Sequence, residues 1–304
     1  MEPIVFVLVA GSAVLHVAWN VLLKTAGEPL RAATIGLSTG AVLICPAAVV
    51  GWFVIGRPAV PPEAVVVATA SGLLEAGYFV FLAAAYRRGD LSVVYPIARG
   101  TAPLLAVAVG IFILGERLGP EGYLGVAFLL VGLLMLQRPW RFFRPSADGT
   151  GWDPAVGFAL LTGVTIAAYS AVDRVGARLV EPWLYAGFIW ATGVAFLWAW
   201  VITTGAASRW RTDDAAATNV DDRFDNRRAA FGGVITLGAY LMILAAFSVA
   251  PLTAVAPLRE SAIVIASAWG TLRLGEGADR GEAARRITAS ALVVLGAVLL
   301  ALDG

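Results

Sequence analysis

Apolar runs of about 20 residues alternate along the chain with short clusters of glycine, proline and charge, the pattern of successive membrane-spanning helices. The runs fall at 3–24, 32–56, 62–86, 91–114, 119–137, 154–173, 182–204, 229–250, 251–274 and 283–302. The stretch 229–274 must hold two helices, with a turn near Pro251. Two connections have length, the basic 137–153 and the polar 205–228. The second carries five Arg and five Asp with little apolar content, which predicts a disordered loop. The expected fold is an all-α integral membrane protein of ten helices.

Composition sharpens this picture. Hydrophobic residues make up 59% of the chain and charged ones 14%, with mean hydropathy +0.81, too apolar for a soluble domain, whose apolar share is about 45–50%. A net charge of +1 gives no case for a nucleic-acid partner. The single Cys45 excludes a disulfide framework or a thiolate metal cluster, and no Walker A sequence is present to power an ATP-driven pump. No cofactor is implied. Glu2 stands where a cleavable signal would carry a basic segment, so the first run is expected to stay as a helix.

Counting basic residues by loop parity places Lys24, Arg31, Arg87, Arg88, Arg138 and the arginines of the two long connections on one side, together with Arg273, Arg280, Arg285 and Arg286. Only Arg57, Arg117, Arg174 and Arg178 fall on the other. The expectation is a multi-pass protein of the cell (plasma or inner) membrane with both termini outside.

The chain also repeats itself. LSVVYPIARGTAPLLAVAVGIFILGE, from Leu91 to Glu116, returns as LTAVAPLRESAIVIASAWGTLRLGE, from Leu252 to Glu276, with 17 residues from Arg99 to Glu116 and from Arg259 to Glu276. HVAWNVLLK, from His16, lines up with IAAYSAVDR, from Ile166, and YFVFLAAA, from Tyr78, with YLMILAAF, from Tyr240. The halves are 1–137 and 154–304, joined by a linker at 138–153. Five helices per half force the second copy to insert upside down, so two inverted five-helix repeats are expected, with a substrate site near the midplane.

These duplicated stretches resemble the two tandem repeats of EamA-like transporters in the drug/metabolite transporter superfamily. The resemblance implies a ten-helix fold, a central cavity and export or exchange of small metabolites by alternating access, without implying which metabolite.

Arginine inside an apolar run costs about 2.5–3.5 kcal/mol on insertion scales, so two at equivalent places need a polar reason. Arg99 and Arg259, preceded by the helix-disturbing Pro96 and Pro257, could bind a substrate carboxylate or phosphate; alternatively they neutralise Glu75 or Glu260 inside the protein. Glu75, mid-helix and one turn before Tyr78, is a candidate for carrying a coupling proton, with pairing to Arg99 as its structural alternative. Glu260 and His16 are further proton-coupling candidates. His16 forms a stripe with Ser12 and Asn20 that equally suits interhelical hydrogen bonding. Trp19, Asn20, Tyr78 and Tyr169 are candidates for lining the substrate cavity. Glu116, Glu276 and Asp173 read as helix-end or loop anchors. Gly36 and Gly40 suit close helix packing or contact between two copies in a homodimer.

A secondary active transporter for a small polar or amphiphilic metabolite follows, acting by export that is proton-coupled or by exchange. A mixture of arginines and glutamates slightly favours an amino-acid-like zwitterion. Two other classes remain open from sequence: a membrane-embedded enzyme acting on a lipid, poorly served by one histidine and one cysteine, and a membrane receptor or sensor, for which no signalling domain is evident.

Overall fold

The structure, a computed structural model, describes residues 2–25, 28–89, 91–138, 140, 153–216, 224–260 and 280–303. Eleven helices occupy them: α1 (Pro3–Thr25), α2 (Pro29–Val54), α3 (Pro62–Tyr86), α4 (Leu91–Phe112), α5 (Pro120–Gln137), α6 (Pro154–Gly176), α7 (Pro182–Thr203), α8 (Ala206–Ala216), α9 (Asn226–Val249), α10 (Leu252–Arg259) and α11 (Arg280–Leu302). Six of these, α2, α3, α4, α6, α7 and α9, contain segments long and apolar enough to cross a membrane. Shorter apolar segments lie in α1, α5 and α11.

Proline opens α1, α2, α3, α5, α6 and α7, where its missing N–H costs nothing and its fixed φ suits the first turn. Carboxylates cap further starts: Glu28 accepts from Arg31 N at 2.6 Å, Asp153 from Ala155 N at 2.8 Å and Asp225 from Arg228 N at 2.9 Å. Large apolar side chains such as Val7, Val42, Val54, Val66, Ile202 and Val294 are exposed on the bundle's exterior, while Glu75, Arg99, Asp173, Arg259 and Glu260 are buried within it. That inverted distribution is what lipid around a polar interior requires.

Helices pair in a regular scheme. Helix α5 runs antiparallel to α11, with Gly125 facing Gly296 and Gly132 facing Ala289, and α2 runs antiparallel to α7, with Gly40 against Trp190 and Gly51 against Trp183. A Cβ on Gly296 would come within 2.6 Å of the Gly125 carbonyl oxygen, so this crossing needs glycine. Around these pairs, α3 packs on α6 and α7 while α1 and α2 pack on α9, and α4 lies along α6. Glu2, Leu300 and Asp303 line one depression, so both termini share one end of the bundle.

One expectation changes here, and for the glycines one of the two readings is chosen. Residues 205–228 are not wholly without order, because 206–216 form the helix α8. Gly36 and Gly40 are occupied inside the chain, Gly36 against Gly233 of α9 and Gly40 against Trp190, rather than presented to a second copy. The ninth predicted span is seen only as α10; its remainder, with Arg273 and Glu276, lies outside the described residues, as do the side chains of Asn20 and Lys24.

Candidate functional site

The polar residues buried by this packing converge between α1, α3, α4, α6, α7, α9 and α10. On α3, Ser71, Glu75 and Tyr78 recur at helical spacing and share one face. On α6, Tyr169 and Asp173 do the same. Since α3 and α6 pack together, the two faces meet, and α9 adds Tyr240 while α7 adds Tyr185 and Trp190.

Asp173, which the sequence suggests as a helix-end anchor, is instead fully buried at the centre of this meeting. Its Oδ1 accepts hydrogen bonds from Ser71 Oγ at 2.5 Å and Tyr185 OH at 3.4 Å, and its Oδ2 accepts from Tyr240 OH at 2.5 Å. Glu75 lines the same cavity as Tyr240.

The two arginines of the repeat have unlike surroundings. Arg99 Nη1 pairs with Glu260 Oε1 at 2.6 Å, both side chains being buried, and its guanidinium lies 5.7 Å from the Tyr95 ring centroid. The alternative pairing of Arg99 with Glu75 does not form. Arg259 faces the Tyr169 hydroxyl, and its Nε has no hydrogen-bond partner among the described residues. No carboxylate among them lies within ion-pair distance of Arg259 either.

A small cavity of about 20 Å³ lies between these groups, lined by His16, Trp19, Glu75, Tyr78, Tyr169 and Arg259 together with Phe79, Trp190, Thr236, Ala239 and Tyr240. It has room for about one water and none for a metabolite in this arrangement of the helices. Six of the nine sequence candidates therefore share one cavity. Arg99 and Glu260 pair beside it, and the Asn20 side chain lies outside the described residues. Its walls are rings: Trp190 stacks on Tyr240 at 5.3 Å and 15°, Tyr78 meets Tyr169 edge-on at 5.9 Å, and Trp19 meets Phe79 edge-on at 6.4 Å.

Sequence reasoning passes over Asp173, Ser71, Tyr185 and Trp190. One signal was available for Asp173, four residues after Tyr169 on the same helical face: the repeat aligns it with the buried apolar Leu23, a position facing inward.

Glu116 and Arg174 close one end of the bundle. Glu116 Oε1 takes an ion pair from Arg174 at 3.2 Å and a hydrogen bond from Leu252 N at 2.8 Å, while its Oε2 accepts from Thr253 N at 2.9 Å. Arg174 also donates to the Phe247 carbonyl at 2.8 Å. The carboxylate thereby caps α10, whose own N-cap, Pro251, offers no side-chain bond.

Comparison with known proteins gives three results. Residues 3–138 match the model of the EamA-like transporter family. The spermidine export protein MdtI of Salmonella arizonae is 39% identical over 59 residues, which is 19% of this chain and 54% of that relative; its counterpart from Salmonella paratyphi B is 37% identical over the same length. The chain thus spans about half the length of the curated relatives it matches. A crystal structure of a protein 22% identical in sequence superposes with a TM-score of 0.66 over 99% of this chain and 98% of that one, which shows a shared fold.

Proposed function

We propose, from the premise that residues 3–138 belong to the EamA-like transporter family of the drug/metabolite transporter superfamily, that this multi-pass membrane protein moves a small polar or amphiphilic metabolite by alternating access. Export that is proton-coupled, or exchange, is the proposed mode, across the cell membrane with both termini outside. The observation that carries the reading is a buried guanidinium, Arg259, that has no carboxylate partner among the described residues and faces the same ring-lined cavity as the carboxyl Glu75.

A zwitterion suits that pair. Its carboxylate would take the bidentate fork of Arg259, its ammonium would meet Glu75, and its apolar part would lie on Trp19, Tyr78 and Tyr169. A second class, an organic amine, is favoured by the two carboxyls Glu75 and Asp173 beside aromatic walls, and the MdtI relatives are named for export of such a compound.

Two inverted repeats, 1–137 and 154–304, fit the packing scheme. Exchanging the halves turns the α3–α6 contact into α9–α1 and α3–α7 into α9–α2, and it returns α2–α7 and α5–α11 to themselves. Inversion would let the same closure occur from either end.

The test is uptake of labelled amino acids and amines into sealed proteoliposomes, with and without a pH gradient, for the wild type, Arg259→Ala, Arg99→Ala and Glu75→Gln. Loss of carboxylate-bearing substrates in Arg259→Ala and loss of gradient-driven movement in Glu75→Gln are expected. Equal transport by all variants would remove both assignments, and lipid modification without transport would favour an enzyme.

A further inference from the structure

Glu116 is held where an ordinary loop carboxylate would not be. Gly115, at φ +65°, turns the chain after α4, and Glu116 N donates to the Gly110 carbonyl at 2.9 Å, which folds the residue back over the end of α4. Its side chain and that of Arg174 are only 9% and 11% exposed. A Cβ on Gly110 would stand 2.6 Å from Thr253 Cγ2 and 2.7 Å from Glu116 Oε2, so glycine there lets Glu116 and the first turn of α10 sit against α4. Because Arg174 also reaches the Phe247 carbonyl, one ion pair joins the ends of α4, α6, α9 and α10, all of them among the helices around the buried polar centre. Val249 and Pro251 line the same depression as Glu2 and Asp303, so this junction lies at the end that carries the termini.

The helix capped there is the one that carries Arg259. Arg259 is the last residue of α10, and the span Leu252–Arg259 at 1.5 Å per residue puts the cap about 10 Å along the axis from the Arg259 backbone. Pro257 cannot donate to the Thr253 carbonyl and Pro251 offers no side-chain cap, so this short helix draws its order from what holds its ends. Both ends are held against α4. Glu116 bonds the first turn, and at the other end Glu260 pairs with Arg99.

We propose that Glu116 is a positioning residue that couples the termini end of the bundle to the cavity: its bonds to Arg174 and to α10 close that end and seat Arg259 in one act. Under alternating access, on which this role rests, opening at that end is the release of Glu116, with α10 pivoting on the Arg99–Glu260 pair that remains. Solvent reaches the latch from a depression of about 480 Å³ lined by Leu114, Glu116, Arg174, Val175 and Arg178. Groups freed by release regain hydrogen bonds to that water, so opening costs the net worth of the broken bonds and not their gross strength.

The experiment reads whether the latch keeps the cavity closed. Cysteine replaces Ala239, which is buried and lines the cavity, in the full-length protein lacking Cys45. A membrane-impermeant maleimide is applied to sealed vesicles from the face on which a cysteine at Glu2 reacts. Labelling at 239 is expected to be slow with Glu116 present, faster in Glu116→Gln, which keeps an acceptor for the N–H groups, and about 10-fold faster or more in Glu116→Ala. Gly296→Ala, which disturbs the remote α5–α11 crossing, is expected to label at the slow rate, and this separates a latch from general loosening. The slow rate in both Glu116 variants, an equal gain in Gly296→Ala, or a gain seen only from the opposite face overturns the proposal. Should the Glu116 variants fail to fold, Gly110→Ala is read in their place, since it forces Glu116 and Thr253 off α4 without touching a charge; the slow rate there overturns the proposal too. No substrate is used, so absence of transport and failure of the latch are separately visible.

Discussion

Asp173 is held by three hydroxyls, and that arrangement sets what each substitution there does. Asp173→Leu leaves Ser71, Tyr185 and Tyr240 with buried donors and no acceptor, at about 1–3 kcal/mol for each unsatisfied group, and a clearly lowered melting temperature in detergent is expected. Asp173→Asn keeps the shape and one carbonyl acceptor, so its melting temperature should stay much closer to that of the wild type. Arg259 offers a different comparison. Lysine keeps the charge but loses the planar fork, so Arg259→Lys should bind a carboxylate substrate about 10-fold more weakly, equivalent to about 1.4 kcal/mol, in an equilibrium binding titration. The candidate status of Arg259 was legible in the sequence because charge inside an apolar run is conspicuous. Asp173 was not, because it stands beside Arg174 near a helix end, where an acidic residue ordinarily meets water.

At the scale of elements, α10 depends on a residue far away in sequence. Its first turn is capped by Glu116, which also meets Arg174 of α6, so one carboxylate ties three elements together. Glu116→Ala removes charge-assisted bonds worth about 1.5–3 kcal/mol each in gross terms, whereas Glu116→Gln retains an acceptor for the backbone N–H groups; thermal unfolding in detergent should rank them wild type, Gln, Ala. The α5–α11 crossing is likewise sensitive. Gly296→Ala places a methyl against the Gly125 carbonyl and should cost about 1–3 kcal/mol, read the same way. Most helices were legible because length and hydropathy alone define a span. The helix α8 was not, since its serine, arginines and aspartates read as solvated coil. Yet alanines favour a helix, Gly205 turns the chain at φ +68°, and Ala206 buries against the bundle.

For the whole molecule, the proposed two-fold relation carries a built-in asymmetry. Arginine occurs in both copies, at 99 and 259, but the positions aligned with Glu75 and Asp173 are Leu237 and Leu23, both buried. The two carboxyls therefore have no counterpart at the aligned positions of the other copy. Orientation is a separate question for this scale. Both termini share one end of the bundle, with the arginine-rich Arg87–Arg88 turn at the other. Cysteines introduced singly at Glu2 and Asp303, after replacement of Cys45, should react with a membrane-impermeant reagent in intact cells if the termini are outside, while one at Arg88 should need permeabilised membranes. The opposite labelling pattern would invert the topology.

The sequence by itself determined the class of the protein, the position of most spans, the duplication, and the buried arginines, because each depends on local composition or on comparing one stretch with another. Only the tertiary structure decided which charges meet. It paired Arg99 with Glu260 and left Arg259 facing the cavity, and it drew Ser71, Tyr185 and Tyr240 from three different helices onto Asp173. The reason is geometric: hydrogen bonds and ion pairs form within about 3–4 Å across helix faces, and the rotation and depth that align those faces are set by packing partners distant in sequence.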